Sequence, residues 1–200
     1  MTDFLGRLEQ LFHPMDGWGD FRRGARKAAV VFVLYRAEGR WMVPFVRRRT
    51  DQRDHPGQVA LPGGGVREGE SAWSAAQREV AEEIGVPVGR LVPLGAGDPI
   101  YGAVSNFSVV PFVAYLPDPV PPFVHDEREL DGVLEIPLDT LLDDAAWGLA
   151  EGAWRYLEHD DSVVWGLTER IFAGLAPKLS QALSESASGG QKPDPPAGRE

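Results

Sequence analysis

The first part of the chain changes between helical and strand-like spacing of its hydrophobic residues. The segment FLGRLEQLF, residues 4–12, places apolar side chains three and four positions apart, which is typical of an amphipathic helix. The runs KAAVVFVLYR and WMVPFVRR, residues 27–36 and 41–48, are rich in β-branched and aromatic residues and are separated by the turn-like AEGR. The pattern predicts a short helix followed by a β-hairpin.

Three consecutive glycines, Gly63 to Gly65, precede a second helical pattern. We predict a glycine loop at this point, because glycine adopts backbone turns that other residues avoid and lets a backbone approach a ligand closely. Ser71 can cap the helix that follows, and Gly85 stands where a helix-ending glycine is expected. The helix should therefore run to about Ile84.

The rest of the chain continues the mixture of strands and helices. Strand-like runs occupy residues 90–97, 106–116 and 131–138, and a last helix is predicted at residues 166–183. Strands combined with a few long helices indicate a layered α/β or α+β domain. From Ser184 the sequence has almost no apolar content, which is typical of a disordered tail. The predicted units are an N-terminal helix and lead-in (1–24), one domain (25–183) and the tail (184–200).

Composition narrows the class of protein. No run reaches the eighteen or so apolar residues of a membrane span, and the N-terminus lacks the features of a signal peptide, so we expect a cytoplasmic protein without a membrane partner. The chain has no cysteine, which excludes disulfides and thiolate chemistry. A net charge of −10 argues against nucleic-acid binding, since that affinity comes mainly from basic residues. A small-molecule substrate is the expected partner, and a homodimer is left open.

The predicted helix before Gly85 carries Glu79, Glu82 and Glu83 on about one turn. Like charges three or four residues apart destabilise a helix by about 0.2–0.5 kcal/mol per pair. The last turn of a helix also disfavours carboxylates, because its dipole favours cations there. A divalent cation would reverse the sign of both effects, and carboxylate oxygens suit Mg²⁺ or Mn²⁺. The alternative is an acidic helix face that is merely solvated.

The residues around this helix form a longer pattern, G-x5-E-x7-R-E-V-x-E-E-x-G-V. Its specified positions are Gly64, Glu70, Arg78, Glu79, Val80, Glu82, Glu83, Gly85 and Val86. At every one of these positions the pattern resembles the Nudix box, the signature of the Nudix hydrolase family. Nine specified positions over twenty-three residues are far more specific than a glycine motif alone.

The resemblance implies a Nudix fold, which is a mixed β-sheet sandwiched between α-helices. It also implies hydrolysis of a diphosphate linked to another group, with Mg²⁺ or Mn²⁺ as cofactor. The implied metal ligands are Glu79 and Glu83, with Glu82 as a further ligand and the carbonyl of Gly63 as another. Glu70 and Arg78 would be structural partners that brace the box.

The general base is the least fixed part of the family's site. Nudix enzymes take it from a box glutamate or from an acidic residue in a distant loop. The segment HDERELDG offers Glu127 and Glu129. We favour Glu129 as the catalytic base, against the alternative that both are surface charges.

Substrate choice depends on a second element upstream of the box. The segment VPFVRRRTDQRDHPGQVALPGG contains Arg47, Arg48, Arg49 and Arg53, a basic cluster in an acidic protein. Guanidinium groups bind phosphate oxygens bidentately. The segment and the later VVWGLTERIFAGL resemble the coenzyme A pyrophosphatase branch of the Nudix family. The chain departs from the sequence signature of this branch at Val43-Pro44-Phe45, Arg49 and Leu61.

These resemblances predict a metal-dependent hydrolase that splits coenzyme A or acyl-coenzyme A into 3′,5′-ADP and 4′-phosphopantetheine or its acyl form. Arg48, Arg49, Arg53 and Gly64 are the predicted substrate-binding residues. The first alternative is a Nudix hydrolase of ADP-ribose or another nucleoside diphosphate derivative. The second is a nucleotide-sensing module without turnover, although such a module would normally have lost box carboxylates. Trp73 and Trp165 are assigned to the core or to an interface, and His55 to ordinary loop hydrogen bonding.

Overall fold

The computed structural model describes residues 2–17, 19–51, 56–152 and 154–188. The strands are β1 (Arg26–Ala37), β2 (Arg40–Arg48), β3 (Val59–Ala60), β4 (Gly63–Gly65), β5 (Val92–Ala96), β6 (Ile100–Gly102), β7 (Phe107–Tyr115), β8 (Leu130–Pro137), β9 (Trp147–Ala150), β10 (Trp154–His159) and β11 (Ser162–Trp165). The helices are α1 (Thr2–Leu11), α2 (Ala72–Ile84), α3 (Leu138–Leu142) and α4 (Leu167–Ser188). No described helix is long and apolar enough to span a bilayer.

The main sheet is built around the long strand β1. Its path runs β3-β2-β1-β7-β5, with β8 paired to β2 and β6 paired to β7. β1 and β7 are parallel, and the other pairs are antiparallel, so the sheet is mixed. Along one edge, β1 pairs with two strands in succession. Its first half pairs with β4, and its last residues pair with β2.

Helices cover both faces of this sheet. Phe32 and Leu34 of β1 point into a core that includes α1 and α4. Val31 and Val33 point into the opposite core, which includes α2. A strand buried on both faces has no polar alternation, which explains the continuous apolar run in β1. The predicted mixed sheet between helices is therefore confirmed.

Several predicted elements lie where the sequence places them. β1 and β2 form the expected antiparallel hairpin. Ser71 caps α2 by accepting a hydrogen bond from the Ser74 N–H, and Gly85 ends the helix in the left-handed region at φ 72°. The predicted glycine loop is wrong, because Gly63–Gly65 form strand β4 and pair with Ala28–Val30.

The predicted domain boundaries also need correction. α1 buries Phe4, Leu8 and Phe12 in the core shared with α4, so the N-terminal helix is part of the domain rather than a lead-in. α4 continues to Ser188, five residues into the segment predicted as tail. The remainder of that predicted tail lies outside the described residues.

A second sheet was not predicted from the sequence. β9, β10 and β11 form an antiparallel sheet in the order β11-β10-β9. The start of α4, directly after this sheet, is tied to the main sheet because buried Thr168 donates its hydroxyl to the Val59 carbonyl at 3.0 Å. The small sheet is thereby held beside the end of β2.

Candidate active site

The acidic end of α2 faces strand β4. The apolar face of the helix, which includes Ala76, Val80 and Ile84, is buried against the main sheet. This packing fixes the rotation of the helix. It brings the carboxylates of Glu79 and Glu83 against the backbone of Gly63 and Gly64.

Two glycines of β4 make this close approach possible. A Cβ on Gly64 would lie 2.5 Å from Cδ of Glu79, so the carboxylate occupies the space of the missing side chain. Gly63 has φ +150°, and a Cβ there would collide with the backbone of Ala29 and Val30. The Gly63 N–H donates to Oε2 of Glu83 at 2.8 Å.

Glu83 is a buried carboxyl group with only 8% of its surface exposed. Burial raises its pKa from 4.5 to about 8, although the Gly63 N–H opposes the shift. The charges of Glu79 and Glu129 raise the pKa further, and Arg48 lowers it. A buried acid surrounded by other acids favours a bound cation, because the cation stabilises the ionised form.

Arg78 connects the parts of the box. Its guanidinium donates to Glu70 at 3.0 Å, to Glu79 at 2.6 Å and to the Gly65 carbonyl at 3.1 Å. These contacts raise the pKa of Arg78, chiefly through Glu70, so the group stays charged. Arg78 therefore ties the loop before α2, the helix and β4 together, and it fixes the position of the Glu79 carboxylate.

Glu82 lies differently from its two neighbours. Its side chain is 53% exposed and contacts Arg78 at 3.4 Å and Arg67 at 3.8 Å. No three His, Asp or Glu side chains in the described parts of the chain converge as a ready ligand set. The carboxylate oxygens of Glu79 and Glu83, which lie against the backbone of Gly64 and Gly63, are nevertheless hard donors of the kind that Mg²⁺ or Mn²⁺ prefers.

The arginine segment divides its side chains between several partners. Arg49 binds Asp51 at 2.6 and 2.7 Å and also donates to the Glu127 carbonyl. Arg47 donates to Asp161 at 2.7 Å. Predicted Arg53 and His55 lie outside the described residues.

Among the described residues, Arg48 has no such partner. In the ranges that the structure describes, its guanidinium makes no ion pair within 4.0 Å, and its Nε is buried without a hydrogen bond. Its positive charge lowers the pKa of Glu83, so it lies on the side of β2 that faces the carboxylates. Among the predicted substrate arginines that the structure describes, Arg48 is the one whose charge is available beside Glu83.

Glu129 is exposed and lies in the turn before β8, where its N–H binds the Asp126 carbonyl at 2.9 Å. Its carbonyl accepts from the Arg49 N–H at 3.2 Å. The charge of Glu129 acts on Glu83, whereas that of Glu127 acts on Arg49. The turn thus brings Glu129 to the acidic end of α2.

The two tryptophans assigned to the core or to an interface lie in different surroundings. Trp73 packs against Phe112 at 5.2 Å between ring centroids. Trp165 is 48% exposed and lines a cavity beside the arginine segment. This exposure could not be predicted from the sequence, because VVW is typical of a fully buried strand.

Comparison with known proteins gives three kinds of match. A family model described as NUDIX domain matches residues 25–159. A protein of Enterobacter sp. (strain 638) named Uncharacterized Nudix hydrolase NudL is 33% identical over 189 residues, covering 88% of this chain and 93% of its own. The protein of the same name from Escherichia coli (strain K12) is 31% identical, covering 88% and 93%.

Solved structures match the fold. The C. elegans Ap4A hydrolase in a binary complex has a TM-score of 0.53 at 20% identity, covering 82% of this chain and 98% of that one. The NUDIX domain of Shewanella oneidensis NrtR, complexed with ADP ribose, has a TM-score of 0.54 at 16% identity, covering 81% and 90%. At these identities the likeness concerns the fold alone.

Proposed function

The chain belongs to the Nudix family as a pyrophosphohydrolase, and from that premise we propose that its substrate is coenzyme A or an acyl-coenzyme A. Water would attack one phosphorus of the diphosphate, and the bridging P–O bond would break. The products are 3′,5′-ADP and 4′-phosphopantetheine or its acyl form. One water is consumed: its oxygen enters the attacked phosphate, and its two protons are released when both phosphate products are dianions.

The observation that carries the substrate proposal is the position of Arg48. A guanidinium that has no carboxylate partner in the described ranges stands beside the buried Glu83, within the segment that resembles the coenzyme A branch. An acidic protein places such an unpaired cation at a cost in desolvation, which a phosphate oxygen would offset. This supports a polyanionic substrate lying across the end of β2.

The residues of the box have distinct tasks in this reaction. Glu79 and Glu83 would hold Mg²⁺ or Mn²⁺, which supplies charge neutralisation at the phosphate oxygens and lowers the pKa of the attacking water. Arg78 orients the Glu79 carboxylate. The Gly63 N–H orients Glu83. Arg48 binds a phosphate oxygen, and Glu129 accepts the proton of the attacking water.

Changing Glu129 to Gln is expected to lower kcat at saturating metal, by about a hundredfold if it is the base, with KM little changed. Steady-state kinetics measures both constants. Glu127→Gln is the matched control, since its side chain lies two residues away beside Arg49, and it should behave as wild type. An unchanged kcat in Glu129→Gln would return the base to the box helix.

Arg48→Ala is expected to lower kcat/KM for coenzyme A about ten- to a hundredfold, because a charge-assisted contact is lost. Dephospho-coenzyme A, which lacks the 3′-phosphate, identifies the phosphate involved. A loss with both substrates assigns Arg48 to the diphosphate, and a loss with coenzyme A alone assigns it to the 3′-phosphate. Arg49→Ala, whose charge Asp51 already pairs, should have the smaller effect. Equal activity of Arg48→Ala and wild type would contradict the proposed contact.

A substrate panel decides between the proposed function and its alternatives. Purified protein with Mg²⁺ or Mn²⁺ should hydrolyse coenzyme A with a higher kcat/KM than ADP-ribose, dephospho-coenzyme A or NADH. Preference for ADP-ribose would establish the alternative hydrolase. Tight nucleotide binding without turnover of any of the four would indicate a sensing module.

A further inference from the structure

A second feature lies on the other side of the arginine segment from Arg48. A surface cavity of about 370 Å³ is bordered by the end of β2, the start of β8 and the strand β11. Its lining includes Arg47, Thr50, Asp131, Asp161, Val163 and Trp165. The volume is near the lower end of the range for small-molecule pockets, about 300–1,000 Å³. It would take one part of a substrate the size of coenzyme A.

The apolar wall of the cavity is an exposed aromatic ring. Trp165 is 48% exposed, and Val163, two residues earlier on the same face of β11, is 40% exposed. The backbone at Trp165 is held in place, since Tyr156 is its cross-strand neighbour and Thr168 anchors the following helix to β3. A tryptophan face that lies on an anchored strand and remains in contact with water is suited to stacking on a planar ring.

The polar wall is formed by two carboxylates. Asp131 is the extra residue of a β-bulge, because Arg47 pairs with Gly132 and Arg48 pairs with Leu130. Its Oδ2 accepts the Thr50 N–H at 3.1 Å. Asp161 accepts from Arg47 at 2.7 Å. Bulges commonly redirect a side chain beside an active site.

The charge of the lining selects the kind of group that fits. Two carboxylates face one guanidinium, so the cavity repels a phosphate group and accepts hydrogen bonds from neutral donors. An acyl chain would leave the carboxylates desolvated without partners. A purine with an exocyclic amino group satisfies both walls, because its ring stacks on the indole and its N–H groups face the carboxylates.

We propose that this cavity binds the adenine base of the nucleotide half of the substrate, with Trp165 as the stacking residue and Asp131 as the hydrogen-bond acceptor. The inference rests on the proposed function for the identity of the substrate. Arg47 and Thr50 line the cavity and Arg48 lies between them along the chain. The base therefore lies on the Arg47 side of the segment, and the phosphates lie on the Arg48 side.

The test measures base recognition without turnover. Titration calorimetry of the metal-free protein with AMP and UMP should show tighter binding of AMP. Trp165→Ala should weaken AMP binding about ten- to a hundredfold, and Trp165→Phe should weaken it less. Asp131→Asn should reduce the preference for AMP over UMP. With coenzyme A and metal, Trp165→Ala should raise KM and leave kcat nearly unchanged.

Trp154→Ala is the matched control, because Trp154 is 58% exposed on the same small sheet but does not line the cavity. It should bind AMP as wild type does. Equal binding of AMP and UMP, no binding of AMP at millimolar concentration, or equal losses in Trp154→Ala and Trp165→Ala would each overturn the proposal. If Trp165→Ala fails to fold in a thermal melt, Trp165→Phe and Asp131→Asn decide the outcome.

The two proposals fail separately. Hydrolysis of coenzyme A with a normal KM in Trp165→Ala would remove the base site and keep the proposed function. Trp165-dependent binding of AMP in a protein that does not hydrolyse coenzyme A would keep the base site and remove the proposed substrate.

Discussion

Replacing Glu83 with Gln is expected to lower turnover more than about a hundredfold while the protein remains folded. Loss of a residue that only supports a metal ligand commonly costs ten- to a hundredfold, so loss of a ligand should cost more. Gln keeps the shape of the side chain and an oxygen to accept the Gly63 N–H, which is 2.8 Å from Glu83. Kinetics over a range of Mg²⁺ concentrations measures the effect. Near-normal activity at limiting Mg²⁺ would show that Glu83 is not a ligand.

The Glu83→Gln substitution should also change how the stability of the fold depends on pH. The pKa of Glu83 is 4.5 in its ordinary state and about 8 in the folded protein. Between these values the folded state binds more protons than the unfolded state, so the free energy of unfolding falls as pH rises. The melting temperature of the metal-free wild type should fall from pH 5 to pH 8, and that of Glu83→Gln should fall less. Mg²⁺ should stabilise wild type more at pH 8 than at pH 6, because proton and metal compete for one carboxylate.

Glu82 provides an internal comparison for this experiment. Its side chain is 53% exposed and lies between two arginines. We expect Glu82→Gln to reduce activity less than Glu83→Gln and to leave the pH dependence of the melting temperature unchanged. Equal effects of the two substitutions would show that Glu82 is as close to the metal as its buried neighbour.

Gly64→Ala is expected to lower kcat by about a hundredfold without unfolding the protein. The new methyl group would lie 2.5 Å from Cδ of Glu79 and would displace that carboxylate. Misplacement of a catalytic group by about 1 Å costs on the order of a hundredfold in rate. Steady-state kinetics and a thermal melt measure rate and stability together.

Gly65→Ala is the matched control for this substitution. Gly65 belongs to the same strand, and a Cβ there meets no atom within 4 Å. It should retain near-normal activity. If both alanine variants lose the same activity, the loss comes from stiffening of the strand rather than from displacement of Glu79.

The local parts of the site could be predicted from the sequence. Helix α2 has its cap at Ser71, its end at Gly85 and its apolar spacing within one short segment, so neighbouring residues determine it. The strand-like runs of the main sheet were also visible, because burial on both faces leaves them apolar. The glycine segment could not be predicted as a strand from the sequence, because β4 forms only through its pairing with β1.

The partners of the arginines depend on distant parts of the chain. Arg47 binds Asp161, which is 114 residues away and belongs to the hairpin of β10 and β11. The sequence could therefore predict a basic cluster, but not that Arg47 and Arg49 are paired while Arg48 has no partner in the part of the chain that the structure describes. The three strands β9 to β11 were missed because each has only four to six residues, too few to show a period.

The pairing of β4 with β1 also explains the fixed gaps of the box motif. The register sets Gly64 opposite Ala29, and the Ser71 cap sets where α2 begins. Glu70 must reach Arg78 across the interval between them. Inserting or deleting one residue there would move Glu79 off Gly64 or turn Arg78 away from Glu70. The five unspecified residues after Gly64 can thus vary in identity but not in number. The spacing of the motif is set by the distance that the chain must cover between β4 and the start of α2.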